Sequence, residues 1–67
     1  MNLVINGKDY FDMPLGMTVA ALLEHLQLPP KKVAVERNLE IVPKSTFEDT
    51  ELSDGDRLEI IHFIGGG

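Results

Sequence analysis

The residues of this chain that could do chemistry are two histidines, two aspartates and a run of glycines at the carboxyl terminus. His25 and His62 have no cysteine or second histidine at metal-ligand spacing, and no Ser, His and Asp order typical of nucleophilic catalysis includes them. Asp54 and Asp56 flank Gly55, where carboxylates usually accept hydrogen bonds from the backbone of a turn. We therefore predict surface or structural roles for all four side chains, with no metal site and no catalytic residue.

The carboxyl terminus is the more unusual feature, because a hydrophobic strand runs straight into Ile64-Gly65-Gly66-Gly67. Glycine has no Cβ, so an extended glycine pair can pass through a narrow channel where any side chain would clash. Three residues reach about 10 Å, enough to bring a terminal carboxylate into the active site of another protein. We predict that the working group is the Gly67 carboxylate, carried on a flexible tail that also contains Gly65 and Gly66.

Length and composition exclude several classes of function. The 67 residues can hold one compact domain, which we place at residues 1–64, and the lack of cysteine excludes disulfide scaffolds, zinc ribbons and thiol nucleophiles. A net charge of -5 opposes binding to nucleic acid, and Lys31-Lys32 is too short for a basic patch. No apolar run approaches the roughly 20 residues that span a bilayer, and no signal peptide is recognisable. We expect a cytoplasmic protein that binds neither nucleic acid nor membrane.

The first half of the chain predicts a hairpin followed by a helix. Residues 2–5 favour a strand, and Asn6-Gly7 suits the positive φ angles of a type I′ turn into a second strand. Thr18 can cap a helix whose apolar residues recur at i, i+3, i+4 and i+7. Because the Pro-Pro pair at 29–30 removes two backbone donors, we expect this helix to end near Leu28.

The second half predicts three more strands. Residues 33–35 favour a third strand, and Pro43 confines a brief fourth strand to an edge of the sheet. The last strand, residues 57–64, should lie beside the first, and the helix in the intervening crossover allows that pairing to be parallel. The predicted fold class is α+β, a mixed sheet with one main helix across one face, which is the β-grasp roll of ubiquitin.

Alternation along the last strand divides its side chains between two faces. Leu58 and Ile60 should fill the core, whereas the outward face begins charged at Arg57 and ends apolar. The first strand also sends one apolar residue outward, and its pairing with the last strand is expected to bring Val4 close to Ile61 and Phe63. An apolar patch at the root of a tail is typical of a docking site for a partner. The predicted docking residues are Val4, Ile61, Phe63 and Ile64.

Several segments together resemble one known family, the sulfur carrier proteins of thiamine biosynthesis (ThiS), within the ubiquitin-like superfamily. The resemblance covers nearly the whole chain and rests on VAVERN at 33–38, IVPKS at 41–45, LSDGDRLEI at 52–60 and the terminal Gly66-Gly67. Leu39 stands where many relatives have glycine. We therefore expect the turn there to be longer or to place Asn38 in the left-handed conformation.

The resemblance implies a sulfur carrier that is not itself an enzyme. An E1-like enzyme would use ATP and Mg²⁺ to adenylate the Gly67 carboxylate, and the sulfur of a persulfide donor would then displace AMP to leave a thiocarboxylate. The thiocarboxylate would donate its sulfur to a thiazole synthase. Nucleotide and metal would belong to the activating enzyme, so this chain is expected to bind no cofactor itself.

Three other functions fit the same features. The small subunit of molybdopterin synthase shares the roll, the tail and the thiocarboxylate but is usually longer, so length favours the thiamine branch. A ubiquitin-like modifier would instead be joined through Gly67 to lysines of target proteins. The third alternative is a plain interaction domain, because a terminal glycine run is by itself usually only a disordered end.

Overall fold

A computed structural model describes residues 1–63 of the chain. The elements in chain order are β1 (Leu3–Ile5), β2 (Lys8–Tyr10), α1 (Val19–His25), β3 (Val33–Arg37), β4 (Glu40–Val42) and β5 (Arg57–His62). Two short 3-10 turns, Pro30–Lys32 and Lys44–Thr46, lie before β3 and after β4. Residues 64–67, with the predicted tail, lie outside the described part.

The strands form one mixed sheet in the order β2-β1-β5-β3-β4. β5 therefore lies at the centre, parallel to β1 and antiparallel to β3. The predicted parallel pairing of the first and last strands is confirmed, and so is the edge position of the strand before Pro43. With α1 packed across one face, this is the predicted ubiquitin-like β-grasp roll.

The helix α1 begins where the sequence predicts but ends earlier. The Thr18 hydroxyl caps it by accepting a hydrogen bond of 3.1 Å from the backbone N–H three residues on. At the other end Gln27 is left-handed with φ of 59°, and the Leu28 N–H donates to the Leu23 carbonyl at 2.8 Å. This Schellman arrangement ends the helix at His25, so the predicted end near Leu28 is wrong and the proline pair is not what stops it.

None of the helices in residues 1–63 is both long and apolar enough to cross a membrane. The expected cytoplasmic location stays a prediction.

The apolar face of α1 and the inner face of the sheet share one core. Val19, Leu22 and Leu23 of the helix have no exposed surface. The other core residues are Leu3, Ile5, Met13, Val33, Val35, Val42, Phe47, Leu52, Leu58 and Ile60. Burying one such leucine contributes about 2 kcal/mol through the apolar area removed from water. Since β5 provides two of these residues from the centre of the sheet, its position is strongly fixed.

Both hairpins of the sheet have two-residue turns with positive φ at each residue. Asn6 and Gly7 have φ of 51° and 79°, which confirms the predicted type I′ turn. Asn38 and Leu39 have φ of 51° and 72° in the turn between β3 and β4. The expected alternatives are a longer turn or a left-handed Asn38. The turn has only two residues, Asn38 is left-handed, and Leu39 is left-handed as well.

The asparagine of each turn also bonds to the backbone of β5. The Asn6 amide bridges Ile60, accepting from its N–H at 2.7 Å and donating to its carbonyl at 3.2 Å. The Asn38 Oδ1 accepts from the Arg57 N–H at 3.0 Å. Backbone N–H and C=O groups that no neighbouring strand pairs need another hydrogen-bond partner. These two asparagine side chains provide such partners to β5 where β1 and β3 do not reach.

Leu39→Gly is expected to raise the free energy of unfolding by about 1 kcal/mol. A residue with a Cβ is strained at a left-handed φ, whereas glycine is not. The Leu39 side chain is 90% exposed, so its removal loses little packing. Urea unfolding measures the change. The matched control Asn38→Gly should destabilise the protein, because it removes hydrogen bonds to Arg57 and Asp56, and equal stabilisation by both variants would contradict this explanation.

Candidate functional site

The candidate site is the carboxyl end of β5, where the chain leaves the centre of the sheet. His62 pairs with Val33 of β3, and the Phe63 N–H donates to the Lys32 carbonyl at 2.7 Å. We call residues 61–63 the tail root. Because the tail root is hydrogen-bonded to its neighbours, the residues after it start from a fixed point. The predicted working residues Gly65, Gly66 and Gly67, and the docking residue Ile64, lie outside the described residues.

The outer face of β5, which faces away from α1, becomes apolar toward the tail root. Leu58 and Ile60 are buried, so the predicted core side of the strand is confirmed. Ile61 and Phe63 are 53% and 45% exposed although their side chains are apolar. Ile61 lies opposite Ala34 of β3, which continues the apolar surface onto the next strand. An exposed apolar surface of this kind can be covered by a partner protein.

Val4 lies on the same outer face but not beside these residues. In the parallel pair of β1 and β5 it is opposite Arg57, four residues before Ile61. At about 3.3 Å per residue this places Val4 about 13 Å from Ile61 along the strand. The prediction that Val4 lies close to Ile61 and Phe63 is therefore wrong, because β1 runs beside the beginning of β5 and turns away before the tail root.

Three lysines adjoin the tail root, and their proximity is not among the features predicted from the sequence. Lys31 and Lys32 lie on the 3-10 turn before β3, and Lys44 lies on the turn after β4. The Lys44 Nζ donates to the Lys31 carbonyl at 3.0 Å and lies 5.4 Å from the centroid of the Phe63 ring. The sequence does contain a signal for this proximity. Strands three and four follow each other closely, and antiparallel pairing between them brings residue 44 back to the start of β3.

The two histidines and Asp54 take no part in a recognisable reactive arrangement within residues 1–63. His25 and His62 are exposed, and no group of three His, Asp or Glu side chains in this range could hold a metal ion. Asp54 accepts a hydrogen bond of 2.6 Å from the Asn2 N–H. The prediction of a bond from the backbone of the same turn is therefore wrong for Asp54, whose partner is distant in the chain, and holds for Asp56, which accepts from the Ser53 N–H. The Asp54 bond joins the turn before β5 to the start of the chain.

Asp56 lies at the opposite end of β5 from the tail root and is only 6% exposed. Its Oδ2 accepts from the Ser53 N–H at 2.8 Å and from the Arg37 Nε at 2.7 Å, and its Oδ1 accepts from the Asn38 amide at 3.0 Å. Burial alone raises the pKa of the Asp56 carboxyl. The hydrogen bonds from Ser53, Asn38 and Arg37, with the Arg37 charge, outweigh burial and lower the pKa below its ordinary value of 3.8. This carboxylate is ionised at neutral pH and supports the fold.

Asp56→Asn is expected to lower the free energy of unfolding at pH 7 by roughly 2 kcal/mol, because an amide cannot accept all three hydrogen bonds and leaves Arg37 without its partner. A carboxyl whose folded pKa is lowered stabilises the fold above its unfolded pKa and loses that contribution as the pH falls through the folded value. The difference in the free energy of unfolding between wild type and variant should therefore be largest at neutral pH and should shrink below about pH 3.8. Urea unfolding at several pH values measures it. A difference that does not change with pH would show that the Asp56 charge is unimportant.

Some known proteins are similar to this chain over nearly the full length of both proteins. The sequence model of the ThiS family matches residues 4–67. The sulfur carrier protein ThiS of Bacillus subtilis is 46% identical over 65 residues, which cover 97% of this chain and 98% of that protein. The crystal structure of a thiamine biosynthesis protein (ThiS) from Geobacter metallireducens matches with a TM-score of 0.84 and 38% identity, and 100% of each chain is covered. The likeness extends over nearly the whole length of the first relative and over the whole length of the second.

Other relatives are much longer than this chain. A thiazole synthase of Paramagnetospirillum magneticum is 57% identical over 67 residues, which are 100% of this chain and 20% of that protein. A thiazole synthase of Magnetococcus marinus is 40% identical over 67 residues, again 20% of its length. The chain thus spans about a fifth of the length of these two relatives.

Proposed function

This chain belongs to the ThiS family, and from that premise we propose that it is a sulfur carrier of thiamine biosynthesis. The observation that carries the proposal is the 46% identity to the Bacillus subtilis carrier over nearly the full length of both proteins. In this role the chain is a protein cosubstrate on which partner enzymes act in the cytoplasm, and it is not an enzyme itself.

The proposed chemistry takes place on the Gly67 carboxylate. A free carboxylate is a poor electrophile, so an E1-like enzyme transfers AMP to one of its oxygens from ATP, with Mg²⁺, and pyrophosphate leaves. The sulfur of a persulfide donor then attacks the carbonyl carbon, and AMP leaves with the electrons of the C–O bond. A thiol reduces the resulting acyl disulfide and releases the thiocarboxylate. Nucleotide and metal are held by the activating enzyme and not by this chain.

The folded body supports this proposal through the way it presents the tail root. β5 lies between two hydrogen-bonded neighbours, so the tail begins from a rigid strand. The exposed Ile61 and Phe63 give an apolar surface beside that point. In the proposed complex the body docks on this surface outside a narrow channel, and Gly65, Gly66 and Gly67 enter it without side chains to obstruct them.

Thiazole synthase is the proposed acceptor of the sulfur. Two proteins of that name contain a segment that is 57% or 40% identical to this whole chain. A thiocarboxylate sulfur is an exposed nucleophile, which suits transfer to a second enzyme. The relatives favour the thiamine branch over the small subunit of molybdopterin synthase.

The covalent product on Gly67 tests the proposed function. The purified chain, supplied with ATP, the E1-like enzyme of the same genome and a persulfide donor, should yield a monomer heavier by the exchange of one oxygen for one sulfur. Intact-mass analysis detects this species, and an alkylating reagent should trap it. The matched control is the same chain with one residue added after Gly67, which should fold normally by circular dichroism and stay unmodified. Lysine-linked adducts without a sulfur-bearing monomer would instead establish a protein modifier.

Ile61→Asp and Phe63→Asp test the proposed docking surface. Each places a charge in an apolar contact and should raise the KM for this chain in the adenylation reaction at least fivefold, or about 1 kcal/mol. Thermal melts should change little, since both side chains are about half exposed. Leu39→Asp is the matched control, because it makes the same chemical change at the far end of β3. If all three variants raise KM equally, the docking surface is not at the tail root.

A further inference from the structure

Three of the four lysines of the chain lie at the end of the sheet where the tail root is, and both arginines lie toward the other end. Phe63 donates its N–H to the Lys32 carbonyl, and the Lys44 Nζ lies over the Phe63 ring while donating to the Lys31 carbonyl. The chain has six basic residues in total, so these three are half of its positive charge. Such a division is unexpected in a protein with a net charge of -5.

We call Lys31, Lys32 and Lys44 the lysine collar. The fourth lysine, Lys8, lies apart from it, because Lys8 pairs with Ile5, which is opposite Leu58 near the beginning of β5. The Lys8 Nζ lies 5.8 Å from the centroid of the Tyr10 ring, on the side away from the tail root. Arg57 begins β5 and Arg37 ends β3, next to Asp56.

The lysine collar has its charge available for a partner. All three side chains are exposed, and within residues 1–63 none of their ammonium groups lies within 4.0 Å of a carboxylate oxygen. The ion pair in that range joins Arg37 to Asp56 at the opposite end of β5. One arginine charge is thus neutralised inside the molecule, whereas the lysine charges face solvent.

Two contacts hold part of the lysine collar in a fixed geometry. The Lys44 ammonium is restrained by the Lys31 carbonyl at 3.0 Å and by the face of the Phe63 ring. The Lys32 carbonyl accepts from the Phe63 N–H, so the turn that carries Lys31 and Lys32 is joined to the tail root itself. A patch that is preorganised in this way loses less conformational entropy on docking.

We infer that the lysine collar docks on an acidic rim around the channel through which the activating enzyme receives the tail. This inference rests on the proposed function. The lysine collar is a positive patch on an otherwise acidic molecule. An acidic rim would attract this patch and repel the remaining surface, so electrostatic attraction orients the carrier with its tail root toward the channel. Ile61 and Phe63 form the apolar centre of the contact and the lysines form its charged edge, which is the usual anatomy of a protein interface.

Charges at the edge of an interface mainly change the rate of association and its salt dependence. The double variant Lys31→Gln with Lys32→Gln lowers the net charge by two without changing a side-chain hydrogen bond of residues 1–63. Arg57→Glu is the matched control, since it also lowers the net charge by two but lies at the other end of β5. The assay is ATP–pyrophosphate exchange by the E1-like enzyme of the same genome, with the concentration of the full chain varied at low and high salt.

The double variant should raise the KM for the chain about fivefold at low ionic strength, and the difference should shrink to less than about twofold near 0.5 M salt. Arg57→Glu should stay near wild type, and kcat and the KM for ATP should not change. If the double variant and Arg57→Glu change the KM for the chain equally while wild type is active, the inferred role of the lysine collar is overturned and the proposed function stays intact. A change in the KM for ATP would also overturn it, by assigning the lysines to the nucleotide. Wild type without any exchange would overturn the proposed function together with this inference.

Discussion

The central position of β5 is the constraint on which the rest of the structure depends. The strand is hydrogen-bonded to β1 on one side and to β3 on the other, and Leu58 and Ile60 anchor it in the core beneath α1. Asparagine side chains from both hairpin turns extend this pairing. A strand held on both sides cannot shift its register without exposing its buried residues. The chain therefore leaves the molecule at one defined point, surrounded by the turns that flank β3 and β4.

The two ends of β5 differ in whether their charged side chains are buried and paired or exposed to solvent. At its beginning, Asp56 is buried and its charge is satisfied by Ser53, Asn38 and Arg37, so that end is closed and structural. At its end, apolar and lysine side chains remain exposed, so that end is open to a partner. The proposed function fits this division, because a carrier with its reacting atom on the terminus needs its body only to position the tail. In the proposed function, a body without cysteine also cannot divert the sulfur into a disulfide of its own.

Local physical chemistry allowed much of the fold to be predicted from the sequence. Asn6-Gly7 specifies its turn because both residues tolerate positive φ, and Thr18 specifies a helix start because its hydroxyl can accept an otherwise unpaired N–H. Alternation of side chains assigned Leu58 to the core and Ile61 to the outer face, since successive strand residues must point to opposite sides. These features depend on a residue and its near neighbours, so the sequence carries them directly.

Tertiary structure decided what depends on residues far apart in the chain. The sequence shows apolar residues in β1 and β5, but only their register places Val4 opposite Arg57 and away from the proposed docking surface. It contains Lys31 and Lys44 as separate charges, and only the antiparallel pairing of β3 and β4 brings them together at the tail root. The sequence by itself determined the roll, the face of the last strand and the glycine terminus as the working group to be tested. The set of side chains around that terminus was decided by register, because a shift of one residue between paired strands redirects every side chain along them.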